Sequence, residues 1–226
     1  MIPKVIHCFW FSGERKTPLA ERCMASWHRF APGWKIREWT VDDLRRAFCP
    51  PKFFDDAIGR RKWAFASDWA RFAVLAELGG VYLDMDVELV APIDDIVEGG
   101  PFFALSSCAP EWVDPGLGFA AERGDAVCTA IVKRYEAMRF DPECHLSQTA
   151  PVVTNDVLKA FPERRRLPAA VFDPKGGCAG TVVMGPETRA IHHYAASWFN
   201  WKQRLAYVWW PKVRNLVMCP LGGRDA

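Results

Sequence analysis

The sequence predicts an α/β fold built on a parallel sheet, on three observations. A strand-then-helix pattern runs twice before residue 50. A long apolar helix then ends at Gly79-Gly80, and a third strand starts at once. Alternation of this kind puts helices on the faces of a sheet whose strands run the same way.

Each element has its own signal. Residues 3–11, PKVIHCFWF, form a β-rich run that stops at Ser12-Gly13. TPLAERCMASWHRFAPG reads as a helix, with Thr17 as N-cap, Pro18 in the first turn and Pro32-Gly33 closing it. WKIREWT is a second strand. TVDDLRRAF opens a helix in which Thr40 caps and Asp43 takes the capping-box position. RRKWAFASDWARFAVLAELGG is the clearest helix: Ala66, Trp69, Ala70, Ala73 and Leu78 share one face, widened by Phe65, Phe72 and Leu75. VYLDMDVELV and PFFALSS read as strands, 125–138 as a helix, and SQTAPVVTNDVLKAF as a loop feeding a helix. From 168 to 187 the pattern is short strands with Gly/Pro turns. No repeat, low-complexity tract or linker divides the chain, so residues 1–226 read as one domain.

Composition narrows the function. A chain of 226 residues supports one substantial core. Its net charge of +2 gives no reason to expect a nucleic-acid partner. The 11 tryptophans suit core packing and also stacking on sugars or bases. The eight cysteines (Cys8, Cys23, Cys49, Cys108, Cys128, Cys144, Cys178 and Cys219) show no C-x-x-C spacing, against a zinc knuckle. They read as reduced thiols of a cytoplasmic protein, in keeping with an N-terminus unlike a signal peptide. No apolar run is long enough for a transmembrane helix.

Asp84 and Asp86 interrupt the apolar strand VYLDMDVELV. On a continuous strand they point the same way, roughly 7 Å apart, and Glu88 would join them. Carboxylates on one face repel, and a hard divalent cation such as Mn²⁺ or Mg²⁺ relieves that while also taking phosphate oxygens. A solvated strand end is the plainer reading of a bare D-x-D. The preceding helix weighs against it: Asp68 and Arg71 lie one turn apart, able to pair, among Ala66, Trp69, Ala70 and Phe72.

SDWARFAVLAELGGVYLDMD resembles the signature of the glycosyltransferase family 32 proteins, which share a D-x-D sugar-binding region and are related to the catalytic domains of large glucosylating toxins. IPKVIHCFWFSG resembles the family's first strand through Ile2, Pro3, Lys4, Ile6, His7 and Trp10. APGWKIREW resembles its second through Pro32, Trp34 and Trp39, and AIHHYAASW its late segment through His192, Tyr194, Ser197 and Trp198. The likeness is weakest between about residues 100 and 185, where Ala150 replaces a frequent glycine and GLGFAAERGDA lacks an expected asparagine.

The resemblance implies a GT-A-like fold, with a Rossmann-like nucleotide-binding sheet flanked by helices. It implies a metal-dependent, retaining transfer of sugar from a UDP- or GDP-sugar donor to a hydroxyl of a glycan or lipid-linked acceptor. Asp84, Asp86 and Arg71 would carry the catalysis. Asp86 and His192 would hold Mn²⁺ or Mg²⁺. Trp10 would stack on the base, and Asp68, Arg71, Asp84, Ser197 and Trp198 would bind the donor. A metal phosphohydrolase and a non-catalytic nucleotide-sugar- or sugar-binding protein are the alternatives.

Three further features admit plainer readings. His7, in an apolar strand, reads as a hydrogen-bonded core histidine. The "RRR" at 164–166 reads as a solvated loop. SWFNWKQRLAYVWWPKVRNLVM, rich in Trp and basic residues, reads first as a packed C-terminal helix and second as a peripheral contact with the inner face of a membrane.

Overall fold

A computed structural model describes residues 1–143, 145–175 and 181–195. Strand β1 (Val5–Phe9) leads into helix α1 (Pro18–Phe30), strand β2 (Lys35–Trp39) and helix α2 (Val41–Ala47). The expected caps form: the Thr17 hydroxyl accepts from the Ala20 amide, and Thr40 with Asp43 makes a full capping box. Helix α3 (Lys52–Gly59) has no sequence counterpart above; Pro51 precedes it without a side-chain cap. Helix α4 (Trp63–Leu78) delivers the chain into β3 (Gly80–Tyr82). Then come β4 (Val87–Leu89), α5 (Asp94–Glu98), β5 (Phe102–Ala104), β6 (Phe119–Ala121), α6 (Ala126–Glu136), α7 (Ala150–Val157), β7 (Arg166–Leu167), α8 (Ala169–Phe172) and β8 (Ala190–His192).

Six strands form one sheet in the order β2-β1-β3-β6-β5-β7. β1 runs parallel to β2 and β3, and β5 to β7, but β6 is antiparallel to both its neighbours. The sheet is therefore mostly parallel, as the α/β reading expected, with β6 as its antiparallel member. β6, within the GLGFAA run, has no counterpart among the expected strands. β4 and β8 form a separate antiparallel pair.

Strand alternation sorts the core into two layers. Phe9, Tyr82, Phe103 and Phe119 pack with Trp69, Phe72 and Leu75 of α4 and with residues of α3, α6 and α7. Ile6, Cys8, Val81, Phe102 and Ala120 face the other way, toward Trp27 of α1 and Phe172 of α8. Among the described residues no helix is long and apolar enough to cross a membrane.

His7 is a core residue as expected, 2 % exposed. Trp39 Nε1–H donates to its Nδ1 at 3.1 Å, so its Nε2 carries the proton and donates to Gly79 O at 3.0 Å. Burial lowers its pKa to about 4. The contact ties β1 to Gly79-Gly80, whose backbones (φ 67° and 116°) and lack of room suit glycine alone: a Cβ on Gly80 would lie 2.8 Å from Val5 O.

Two expectations need correction. Arg164 is no solvated residue: it pairs with buried Asp125 at 2.8 Å, while Arg165 donates to Ile96 O at 2.7 Å. Arg166 alone is exposed. Cys108 is disulfide-bonded in an exposed loop, whereas Cys8, Cys23, Cys49 and Cys128 are free as expected. Scattered spacing does not disclose such a bond, because pairing depends on where loops meet.

Candidate active site

The centre of the site is Arg71. Helix α4 is apolar almost all round and buried continuously from Phe65 to Leu75, so the polar residues it carries must satisfy each other. Arg71 Nε donates to Ser67 O at 3.1 Å, and one terminal nitrogen lies 2.9 Å from Ser67 Oγ, 3.0 Å from Asp68 Oδ1 and 3.6 Å from Asp84 Oδ1. The guanidinium also sits 4.6 Å from the Tyr82 ring centroid. The Tyr82 hydroxyl in turn donates to Asp84 Oδ1.

Asp68 is occupied by the protein. One oxygen faces Arg71, and the other accepts from the Ala150 amide at 3.0 Å, capping α7 where Thr149 supplies no side-chain bond. Burial pushes its carboxyl up to about 7 against the pull of Arg71 and of that amide. Asp68, a donor-binding candidate by the resemblance, thus has both oxygens engaged within the protein and is 7 % exposed.

The expected continuous strand is broken at the D-x-D. β3 ends at Tyr82, a turn closed by Val87 N–H to Asp84 O at 3.0 Å carries Asp84, Met85 and Asp86, and β4 then joins a different sheet. A turn brings the two carboxylates together where a straight strand would keep them apart. Glu88 does not join them: it pairs with His193 at 2.8 Å and Arg22 at 3.3 Å.

Antiparallel pairing of β4 with β8 sets Val87 opposite His192. His192 Nε2 lies 3.1 Å from Asp86 Oδ1, while the Ala195 amide donates to Asp86 Oδ2 at 2.8 Å. Adjacent His193, just past the end of β8, turns instead to Glu88. Burial opposes charge on both partners, but their mutual attraction wins. His192 rises to about 9, and Asp86 is held well below the usual carboxylate range. Asp84 moves the other way, pushed up by burial, with Asp86 adding to the shift and Arg71 opposing it.

A carboxylate oxygen of Asp84, one of Asp86 and a nitrogen of His192 all lie within 4.8 Å of one another. Two oxygens and an imidazole suit a divalent ion of the Mn²⁺ type, and the trio adds Asp84 to the expected pair of Asp86 and His192. The imidazole would ligate only after losing the proton it shares with Asp86. Its Nδ1 is buried and has no hydrogen-bond partner among the described residues.

Trp10 follows β1. Since His7 pairs with Tyr82, Trp10 lies level with the D-x-D turn at the C-terminal edge of the parallel strands, where open α/β sheets bind ligands. It is half-buried, its indole N–H donates to Glu14 O at 2.7 Å, and the Lys16 ammonium is 6.0 Å from its ring. Ser197, Trp198 and the rest of the C-terminal Trp/basic segment lie outside the described residues.

The loop after β5 supplies residues that sequence reasoning missed. The charge of Asp114 acts on Asp68, Arg71 and His192 alike. Its Oδ1 accepts from the Gly116 amide at 2.9 Å, and a Cβ on Gly116 would lie 2.7 Å from Asp84 Oδ2. The Asp-Pro-Gly turn in WVDPGLGF was the available signal.

Residues 19–103 match the family described as "Glycosyltransferase sugar-binding region containing DXD motif". That region includes Asp68, Arg71, Asp84 and Asp86; Trp10 and His192 fall outside it. "Uncharacterized glycosyltransferase L373" of Acanthamoeba polyphaga mimivirus is 30 % identical over 111 residues, covering 46 % of this chain. The chain spans only 43 % of that relative's length. In fold it is similar to "PaToxG Glycosyltransferase", with a TM-score of 0.52 and 16 % identity over 71 % of this chain and 70 % of that one. The matched residues thus sit on the α/β architecture expected from the sequence.

Proposed function

We propose that this protein moves a sugar from a nucleotide-sugar donor to an acceptor hydroxyl, with a divalent cation held by Asp84, Asp86 and His192. The observation that carries this reading is the meeting of those three donor groups beside Arg71, at the sheet edge that also bears Trp10. A phosphohydrolase would need no aromatic platform there. A bound cation would neutralise charge developing on the departing diphosphate.

The chain's own residues do the rest. Asp84, steered by Tyr82 and Arg71, accepts from donor hydroxyls. Arg71 supplies fixed positive charge to the donor side, and Asp68 holds Arg71 and the start of α7 in place. Trp10 stacks on the base. Ser197 and Trp198 keep the donor-side role that the family resemblance implies. Retention of configuration, a UDP- or GDP-linked donor and a glycan or lipid-linked acceptor complete the proposal. The test is a panel of nucleotide sugars with Mn²⁺, scored for slow donor hydrolysis. Hydrolysis of one donor that needs Mn²⁺ supports the reading; none with any donor sinks it.

A further inference from the structure

The D-x-D half of the site is closed by residues 192–195, and every one of them is held from elsewhere. The amides of His193 and Ala195 donate to Asp86 O at 3.0 Å and to Asp86 Oδ2 at 2.8 Å. Tyr194, between them, has φ 50°, in the left-handed region that non-glycine residues rarely occupy. Such a residue persists only where its surroundings over-determine it.

Here the surroundings converge on Asp173, the C-cap of α8. Asp173 is fully buried, and its Oδ2 accepts three bonds: from Ser107 N at 3.0 Å, Ser107 Oγ at 2.6 Å and Tyr194 Oη at 2.6 Å. Among the described residues its Oδ1 has no hydrogen-bond partner, so those three donors carry the satisfaction of a buried carboxylate. The Tyr194 ring then meets the His192 imidazole edge-on, centroids 4.1 Å apart. The Lys175 ammonium lies 4.3 Å from the Tyr194 centroid and donates to His192 O.

We infer that Asp173 and Tyr194 form a latch that fixes His192 and the Ala195 amide on Asp86. They are positioning residues: neither belongs to the Asp84–Asp86–His192 trio, and both act through His192 and Ala195. The inference rests on the proposed function only in taking that trio as the cation site. Outer partners of metal ligands commonly change affinity by about 10- to 100-fold.

The test uses the full chain with Mn²⁺ alone as probe, comparing wild type, Tyr194→Phe and Asp173→Asn. Mn²⁺ affinity is read by electron paramagnetic resonance of the free ion, and amide hydrogen exchange is read at residues 190–195 and on α4. Tyr194→Phe keeps the ring and removes only the hydroxyl. The latch predicts a Mn²⁺ Kd raised about 10- to 100-fold in both variants. Exchange at 193–195 is faster by about tenfold, while α4 is unchanged. Unchanged exchange at 193–195 in Tyr194→Phe overturns the latch, as does faster exchange with an unaltered Kd. If wild type takes up no Mn²⁺, the cation site fails as a reading, and exchange alone decides the latch.

Discussion

The two halves of the site are built in opposite ways. Ser67, Asp68, Arg71 and Tyr82 come from one continuous stretch, buried in the main sheet and its central helix, and with half-buried Asp84 in the turn just beyond they satisfy each other's charges. Asp86, His192 and Ala195 meet only because β8 returns to β4 from more than a hundred residues away, in a separate two-stranded sheet. The first half is part of the core, so damage to it should appear as lost stability. The second is a closure over the core, so damage to it should appear as lost binding or turnover.

The sharpest test of that division is Asp86→Asn. The isostere keeps an acceptor for the Ala195 amide but removes the charge. Donor hydrolysis should fall on the order of 10²–10³-fold, a loss of the size seen when one group stabilising transition-state charge is removed. The melting temperature should stay within a few degrees. A collapse of the fold with hydrolysis intact per folded molecule would break the comparison.

Arg71→Met tests the other half. It leaves Asp68 buried without its partner, a situation that costs about 3–5 kcal/mol. Denaturant unfolding should show that loss whether or not donor is present. A stability close to wild type would mean that the Arg71 cluster is not part of the core's support.

His7 adds a pH dependence to the first half. Above pH 6.5 the residue is neutral in both the folded and the unfolded chain. As pH falls, the unfolded chain takes up a proton that the folded protein refuses until about 4, so stability declines across that window. The full loss amounts to about 3 kcal/mol. His7→Phe should flatten the unfolding-versus-pH curve between those limits, and an unchanged slope would remove His7 as its cause.

Gly116→Ala gives the smallest expected effect and probes the seam around Asp84. The added methyl meets the Asp84 carboxylate. Overpacking of this kind costs about 1–3 kcal/mol. The donor KM should rise more than stability falls, because the Asp84 side chain is 30 % exposed and can shift. Equal losses in both would place Gly116 in the core rather than in the site.

Much of this was legible in the sequence. Thr17 and Thr40 announced their helices because a cap needs only residues three positions away. Asp68 and Arg71 announced a buried pair because a helix with no polar face leaves them nowhere else to go. β6 was missed because a three-residue strand of Phe119, Ala120 and Ala121 carries almost no alternation. The antiparallel setting of β6 was equally hidden, since pairing direction depends on the path of the connecting loop.

The sequence by itself determined the identity and the order of the charged groups: three acids (Asp68, Asp84 and Asp86) and Arg71 on adjoining elements, with a glycine pair between them. Only the tertiary structure decided that the D-x-D is a turn between two sheets, that Asp68 caps α7, and that Glu88 turns away from the two aspartates to His193 and Arg22. The reason is range. Caps, helix faces and strand alternation are set within a few residues by backbone geometry, whereas the partner of a buried charge is whichever group the folded chain brings within about 4 Å of it.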